Sequence, residues 1–270
     1  MARNSLKNIA RLIQSVQETV PVEQSFLADL KRSIELQDKK TTRKPSQTYK
    51  PSSMHCMRNM YYQVTGVQAL ETDSTYTLIG ICNSGTDIHA RIQQSVIDMK
   101  SNGIDCEYVN VADFVRSRNL TDLDIVKEPN FEHGDYETKL FNKKYNISFL
   151  CDGIIKYKSQ YYVLELKTEN SNKFMMRKGV DAKHYHQGTC YSLMFNLDKV
   201  IFVYINRDVL DMKSFMFEPT VNMKQEIIET IEQCNKYVSE GAVPPKSENM
   251  DSRVCTYCGY KSLCESEVSK

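Results

Sequence analysis

The chain lacks several things, and each absence narrows its function. No run of apolar residues among its 270 positions is long enough to span a bilayer, which excludes a transmembrane helix within it. No G-x-x-x-x-G-K-[ST] segment is present, so the chain carries no nucleotide-driven motor of its own. Net charge is only +1, so no basic field covers the whole molecule, and a nucleic acid would have to be met by a local patch or groove. The start, Met1-Ala2-Arg3-Asn4-Ser5, runs straight into an amphipathic pattern and does not read as a signal peptide. The expectation is a soluble protein of the cytoplasm, without a membrane partner. There is no internal repeat. Tryptophan is absent while Lys, Asn, Met and Tyr are plentiful, a flavour common in low-GC bacteria and their phages.

Cysteine is not scarce. There are nine, an odd number in a chain without a secretory signal, which reads as reduced thiols or metal ligands rather than a disulfide framework. Five of them, Cys82, Cys106, Cys151, Cys190 and Cys234, sit mostly in apolar surroundings and read as small core residues.

The length fits one large α/β domain or a domain with a helical extension. Leu6, Ile9, Leu12, Ile13, Val16 and Val20 repeat at a helical period over 5–20, and a second helix is expected over 23–37 with Phe26, Leu27, Leu30 and Ile34 inside. A polar, basic, proline-punctuated stretch from Gln37 to Ser46 then reads as a linker, its run of Lys39, Lys40, Arg43, Lys44 and Lys50 being chiefly solubilising. Ser84-Gly85-Thr86-Asp87 is expected to open a helix over 86–101, with Thr86 or Asp87 as cap and Ile88, Ile92, Val96 and Met99 as its buried stripe. Phe131 to Phe141 feeds a sheet. A hairpin covers 146–168, a helix Asp181 to Asn196, strands 199–205 and 213–218, and a helix 220–238 that Gly241 and Pro244-Pro245 end. The order predicts an α/β fold, a central mixed sheet flanked by helices, with a helical N-terminal extension over 1–50 and the main domain over 51–270, closed by a Cys-rich tail.

The chemistry concentrates in the hairpin. Cys151-Asp152-Gly153-Ile154-Ile155 and Tyr161-Tyr162-Val163-Leu164-Glu165-Leu166-Lys167 flank the turn-like Lys158-Ser159-Gln160. Residues two apart in a strand share a face, so Glu165 and Lys167 point one way and Leu164 and Leu166 point into the core. Asp152 lies on the partner strand. Two carboxylates and a lysine converging on a buried face are costly unless a cation binds there, and hard oxygen ligands suit magnesium or manganese. The trio alone is also met by chance, as a surface ion pair on an edge strand. Gln187 and Tyr191, four apart on the next helix, share a face that can lie over it. His89 supplies a further candidate ligand, although a lone histidine is more often simply packed. Glu137 is a candidate supporting acid, and an ordinary helix-surface glutamate is the commoner reading.

In this order, His89, Asp152, Glu165-Leu166-Lys167, and Gln187 with Tyr191, the sequence resembles the RecB-like branch of the PD-(D/E)XK nucleases, whose core is the restriction-endonuclease-like sheet. The resemblance implies that His89, Asp152 and Glu165 ligate a divalent metal and that Lys167 orients or activates the attacking water. It implies that Gln187 and Tyr191 support the site and its DNA strand. One departure is that Ala90, not an acidic residue, follows His89.

A second set is Cys255, Cys258 and Cys264 in the tail with Cys56 far upstream, the latter within Ser52-Ser53-Met54-His55-Cys56-Met57-Arg58-Asn59-Met60-Tyr61-Tyr62. Four thiolates are the usual ligand set of a 4Fe–4S cluster. A structural zinc ion is the rival, and His55 is a spare ligand for it, although only one of the cysteine pairs is compact. The combination resembles the iron–sulfur subset of RecB-like nucleases, which includes AddB nuclease domains and the CRISPR-associated single-domain exonucleases. The resemblance implies a cluster that staples the segment before the core to the tail after it. It further implies a DNA exonuclease acting on single-stranded or unwinding ends in recombination, replication, repair or CRISPR-type adaptation, with a helicase, recombinase or CRISPR integrase as the kind of partner. A non-cleaving DNA-end-binding module and a zinc-stapled structural subunit are the alternatives. Lys173, Arg177, Lys178 and Lys183 form a basic stretch beside Lys167 that reads equally as a phosphate track or as a solvated face. Tyr61, Tyr62, Tyr185 and Tyr191 are aromatics that either stack bases or fill the core.

Overall fold

The computed structural model describes residues 21–39, 45–69, 75–246, 255–256 and 258–267. The helix expected over 5–20 and the basic run through Lys40, Arg43 and Lys44 lie outside those residues. Backbone contacts divide the chain into two units, Met1–Thr42 with Asp73–Gly80, and Arg43–Thr72 with Ile81–Lys270.

The described part of the first unit is helix α1, Val22–Lys39. Its apolar period is the expected one, but Phe26, Leu27 and Leu30 are exposed rather than inside. Periodicity reports that a stripe exists and says nothing of what covers it. In the same unit the Tyr76 backbone N–H donates to Glu35 Oε1 at 3.0 Å, and Lys31 lies over the Tyr76 ring.

The second unit holds the expected mixed sheet. Its elements in chain order are α2 (Met57–Val64), α3 (Tyr76–Asp98, entering from the first unit), β1 (Cys106–Val109), α4 (Val111–Ser117), β2 (Leu123–Lys127), β3 (Thr138–Asn142), β4 (Ile147–Cys151), β5 (Gly153–Tyr157) and β6 (Gln160–Glu169). There follow α5 (Ser171–Met176), α6 (Ala182–Phe195), β7 (Val200–Asn206), β8 (Met212–Phe217), α7 (Val221–Glu240) and α8 (Lys261–Ser266). A five-stranded sheet runs β1-β5-β6-β7-β8 and a three-stranded sheet runs β2-β3-β4. Among the described strands β6 and β7 form the one parallel pair, and the crossover between them carries α5 and α6. No described helix is long and apolar enough to cross a membrane.

The β5–β6 hairpin closes as its sequence dictates. Tyr157 pairs with Gln160, and Lys158 and Ser159 both take positive φ, the conformation that matches a two-residue turn to strand twist. Alternation then divides β6 between two cores. Leu164 and Leu166 pack with Ile88, Ile155 and Ile205, while Val163 packs with Phe202, Tyr204 and the α6 and α7 residues Cys190, Tyr191, Ile227 and Ile231. Helix α3 therefore covers one face of the sheet, and α6 with α7 covers the other. Each large side chain so buried contributes about 1.5–3 kcal/mol.

Helix α3 begins ten residues before the expected start. Ser84-Gly85-Thr86-Asp87 is mid-helix, and the Thr86 hydroxyl donates to the Cys82 carbonyl instead of capping. Gly85 here is a place of close approach: a Cβ on it would stand 3.3 Å from Thr168 Oγ1. Gly188 on α6 works the same way, since its Cβ would lie 2.9 Å from Phe202 Cζ and 3.0 Å from Phe217 Cδ1.

Gly188→Ala should accordingly destabilise by about 1–3 kcal/mol through overpacking, against the gain of up to about 1 kcal/mol that alanine brings to a helix interior. Urea unfolding measures this, and a midpoint at or above that of the parent would show that α6 does not need the close approach.

Candidate active site

Asp152 occupies the one residue between β4 and β5, where the chain leaves the three-stranded sheet for the five-stranded one. That break turns its backbone out of both ladders, and neighbours replace the lost partners. Its carbonyl accepts from Gln93 Nε2 at 2.7 Å and from the Tyr108 hydroxyl at 2.9 Å. Its Oδ2 accepts the Leu166 backbone N–H at 2.7 Å, and its Oδ1 stands 3.3 Å from His89 Nδ1. His89 and Gln93 are one turn apart on α3, so a single helix face grips both ends of Asp152. Gly153 makes room for this, because a Cβ there would be 2.7 Å from the Tyr108 ring.

Glu165 and Lys167 share the α6 face of β6. Glu165 is buried, and its Oε1 accepts from Lys167 Nζ and from Gln187 Nε2, both at 2.6 Å. Gln187 Nε2 also donates to the Tyr191 hydroxyl at 2.9 Å, and that hydroxyl donates to the Leu150 carbonyl at 3.2 Å. The other oxygen, Glu165 Oε2, is buried without a hydrogen-bond partner. A buried carboxylate oxygen left in that state costs one to several kcal/mol, roughly, unless something electropositive meets it.

Glu137 joins the set through strand register. The β3–β4 ladder pairs Asn142 with Ile147 and ends at Thr138 with Cys151, and Glu137 and Asp152 are the next residue on either side of that end. It stands in the loop before β3, half-buried, and not on a helix surface. Ligand atoms of His89, Glu137 and Asp152 lie within 4.8 Å of one another.

Electrostatics bind these groups into one unit. Burial pushes Glu165 up to about 7, with Lys167 opposing and Asp152 adding to the rise. Burial likewise takes Glu137 to about 7, helped by the Asp152 charge. Burial also penalises the Asp152 carboxylate, yet the hydrogen bond and charge of His89 hold it below the ordinary carboxylate range. His89, against its own burial, is held above the ordinary imidazole range by Asp152. Lys167, also against burial, is held up by the charges of Glu165 and Asp152. It is therefore an ammonium ion, a charge and a donor rather than a general base.

The basic stretch divides. The Arg177 side chain is only 7% exposed, donating to Glu169 Oε2 at 2.7 Å and Oε1 at 2.5 Å and to Asp181 Oδ2 at 3.2 Å, with its guanidinium over the Tyr204 ring. Lys173 pairs with Glu169 at 3.0 Å and Asp181 at 3.1 Å. These two side chains tie the β6–α6 connection down, Lys173 with 45% of its side chain still exposed. Lys178 and Lys183 are exposed. Tyr61, Tyr62 and Tyr191 are core residues, and Tyr185 packs on Phe217.

The four named cysteines converge where α2 begins. Cys56 immediately precedes α2, the Cys258 backbone N–H donates to the Cys255 carbonyl, and α2 side chains reach Cys258 and Cys264. Burial pushes the Cys56 thiol up, the Asn59 backbone N–H pulls it back, and Cys258, Cys255 and Cys264 push it up again, so the four sulfurs share one electrostatic neighbourhood. Of the other five, Cys106, Cys151, Cys190 and Cys234 are buried as expected, but Cys82 is exposed on α3.

Neither a protein-family model nor a curated protein matches the chain. Solved structures with similarity include SSO0001, 17% identical, covering 88% of this chain and 96% of that one, with a TM-score of 0.47. LHK-Exo in complex with dAMP is 12% identical over 72% of this chain and 89% of that one, with a TM-score of 0.44. An alkaline exonuclease, LHK-Exo from Laribacter hongkongensis, is 8% identical over 73% and 92%, with a TM-score of 0.35. All three scores lie below 0.5, and the function proposed below stands on the site's own geometry.

Raised carboxylates make stability depend on pH with a definite sign. Glu165 binds its proton more tightly folded than unfolded, so its contribution is full below its ordinary value of 4.5 and is lost as pH rises through about 7. Glu137 and His89 act in the same direction. His55, His184 and His186, lowered by burial, act in the opposite direction. The test is therefore the difference between two chains: in EDTA the melting temperature of the parent relative to Glu165→Gln should fall between about pH 5 and pH 8. A difference that rises over that range would contradict the Glu165 assignment.

Proposed function

We propose that the chain is a divalent-metal-dependent DNA exonuclease of the RecB-like PD-(D/E)XK type, with residues 51–270 as its nuclease domain and 1–50 as a helical extension. The observation that carries this is the buried, unpartnered Glu165 Oε2 beside Asp152, with the Lys167 ammonium on the same strand face. An oxygen-rich donor set with one imidazole fits magnesium or manganese. Asp152, Glu165 and His89 would hold the ion. When bound, it polarises the phosphodiester and lowers the pKa of a water molecule.

The chain's own residues do the rest. Lys167, kept protonated by Glu165 and Asp152, offers positive charge and N–H donors to the negative charge that builds on phosphorus during hydrolysis. Gln187 holds Glu165 Oε1 so that Oε2 faces the site, and Tyr191 holds Gln187. Gln93 and Tyr108 fix the Asp152 backbone, and the Leu166 N–H holds Oδ2 of its carboxylate. Lys173, Lys178 and Lys183 are the exposed cations of the basic stretch that would meet the DNA backbone.

Cys56, Cys255, Cys258 and Cys264 would hold a 4Fe–4S cluster, in keeping with an all-thiolate set drawn from both ends of the domain. Its role would be structural: it joins the segment before the sheet to the tail after α7, so that cluster binding contributes to folding.

Linear end-labelled DNA, single- and double-stranded, should be degraded in magnesium or manganese. Asp152→Ala, Glu165→Ala and Lys167→Ala should each slow this by on the order of 10²-fold or more. Variants that cut as fast as the parent would place the active site elsewhere, and DNA binding without cleavage in any divalent metal would favour an end-binding module. Anaerobic purification should yield iron and sulfide, with iron falling in Cys255→Ala; zinc without iron would replace the cluster by a structural zinc site.

A further inference from the structure

One turn of α2 delivers side-chain donors to two of the four cysteines. Arg58 is buried at 8% exposure. Its Nε donates to the Pro244 carbonyl at 2.7 Å, and its Nη1 donates to the Cys264 carbonyl at 2.8 Å and to Cys264 Sγ at 3.2 Å. Glu267 stands 4.0 Å from the same nitrogen. Asn59 Nδ2 donates to Cys258 Sγ at 3.6 Å. Asn59 Oδ1 accepts from Gln63 Nε2 at 2.8 Å. The Ser53 hydroxyl stands 2.9 Å from Gln63 Oε1 and 2.8 Å from the Lys50 carbonyl, with one proton to share between them.

Two features set this apart from ordinary packing. Arg58 is placed to recognise the tail by two backbone carbonyls as well as by a sulfur, so it can hold Pro244 and Cys264 together before any cluster forms. Asn59 reaches its sulfur at the end of a side-chain relay that runs from Ser53 through Gln63. Donors aimed at sulfur suit a metal-bound thiolate, which carries negative charge and accepts N–H readily. Hydrogen bonds to ligand sulfurs are also among the factors that set the reduction potential of an iron–sulfur centre.

We infer that Arg58 and Asn59 are positioning residues for the four-cysteine centre: Arg58 closes the tail onto α2, and the two side chains together tune the centre through the sulfurs of Cys264 and Cys258. This rests on the iron–sulfur reading given above. Arg58 and Asn59 are expected to divide the work. Arg58 makes three contacts to the tail, and its loss acts mainly on retention of the centre. Asn59 makes one contact to sulfur, and its loss acts mainly on potential.

The test uses the full chain, purified anaerobically as parent, Asn59→Leu and Arg58→Lys. Iron and sulfide are assayed, and the midpoint potential is read by dithionite titration followed by visible absorption and electron paramagnetic resonance. Asn59→Leu should keep the parental iron and sulfide content and shift the potential to a more negative value, since a donor to sulfur is lost. Arg58→Lys keeps the charge but not the forked donor geometry, and should lose most of its iron during gel filtration. An Asn59→Leu potential equal to the parent's overturns the tuning role, and an Arg58→Lys chain that keeps full iron overturns the closing role. A parent chain holding zinc and no iron overturns the cluster reading itself, which the iron assay reports separately.

Discussion

Two carboxylates buried on one side of a sheet repel each other and forfeit their hydration, and most of the local structure answers that cost. Lys167 meets Glu165 Oε1, Gln187 meets it again, His89 faces Asp152 Oδ1, and the Leu166 N–H takes Oδ2. What is left over is negative: Glu165 Oε2 has no partner, and a Glu137 carboxylate oxygen lies within 4.8 Å of one of Asp152. A chain selected for stability alone would have little reason to keep such a group. A chain that binds a cation there gains a site whose ligands are already in place, which is what preorganised electrostatic catalysis requires.

The scaffold serves the same end from both faces of the sheet. On one face α3 brings His89 and Gln93, and on the other α6 brings Gln187 and Tyr191, with Gly188 letting α6 sit close to Phe202. The β6–α6 connection is clamped by Glu169, Arg177 and Asp181, so Lys167 and Gln187 are linked by a short, tied segment rather than by a loose loop. The segment bearing Cys56 lies at the start of α2, and Arg58 ties it to Pro244 and Cys264 of the chain beyond α7. The two ends of the main unit are thereby fastened together beside its core.

Much of this was legible in the amino-acid sequence, for physical reasons that also explain the rest. Period-two alternation around a two-residue turn places Glu165 and Lys167 on one face, and Leu164 and Leu166 on the other, with no tertiary information needed. The i, i+4 spacing does the same for Gln187 and Tyr191. Glu137 was not legible as a partner of Asp152, because the pairing depends on β3–β4 register, which only the Asn142–Ile147 closure reveals. Gln93 lay one turn beyond His89 within the helix expected over 86–101 and was open to the same spacing argument. Gly80 and Gly85 hid the start of α3 at Tyr76, since glycines look like helix breakers in sequence, although only Gly85 stands at a close approach. Arg177 looked like a DNA contact because charge alone does not show that Glu169 and Asp181 would claim it. The exposed stripe of α1 is a reminder that amphipathic period predicts a helix and not its neighbour.

The central claim is that Glu165 and Asp152 are built to share a divalent cation. Anomalous diffraction from crystals grown with manganese tests it most directly. The account predicts an anomalous peak in contact with Glu165 Oε2 and Asp152 that vanishes in Glu165→Gln. Full-occupancy manganese elsewhere on the chain, with no density at these carboxylates, would contradict it.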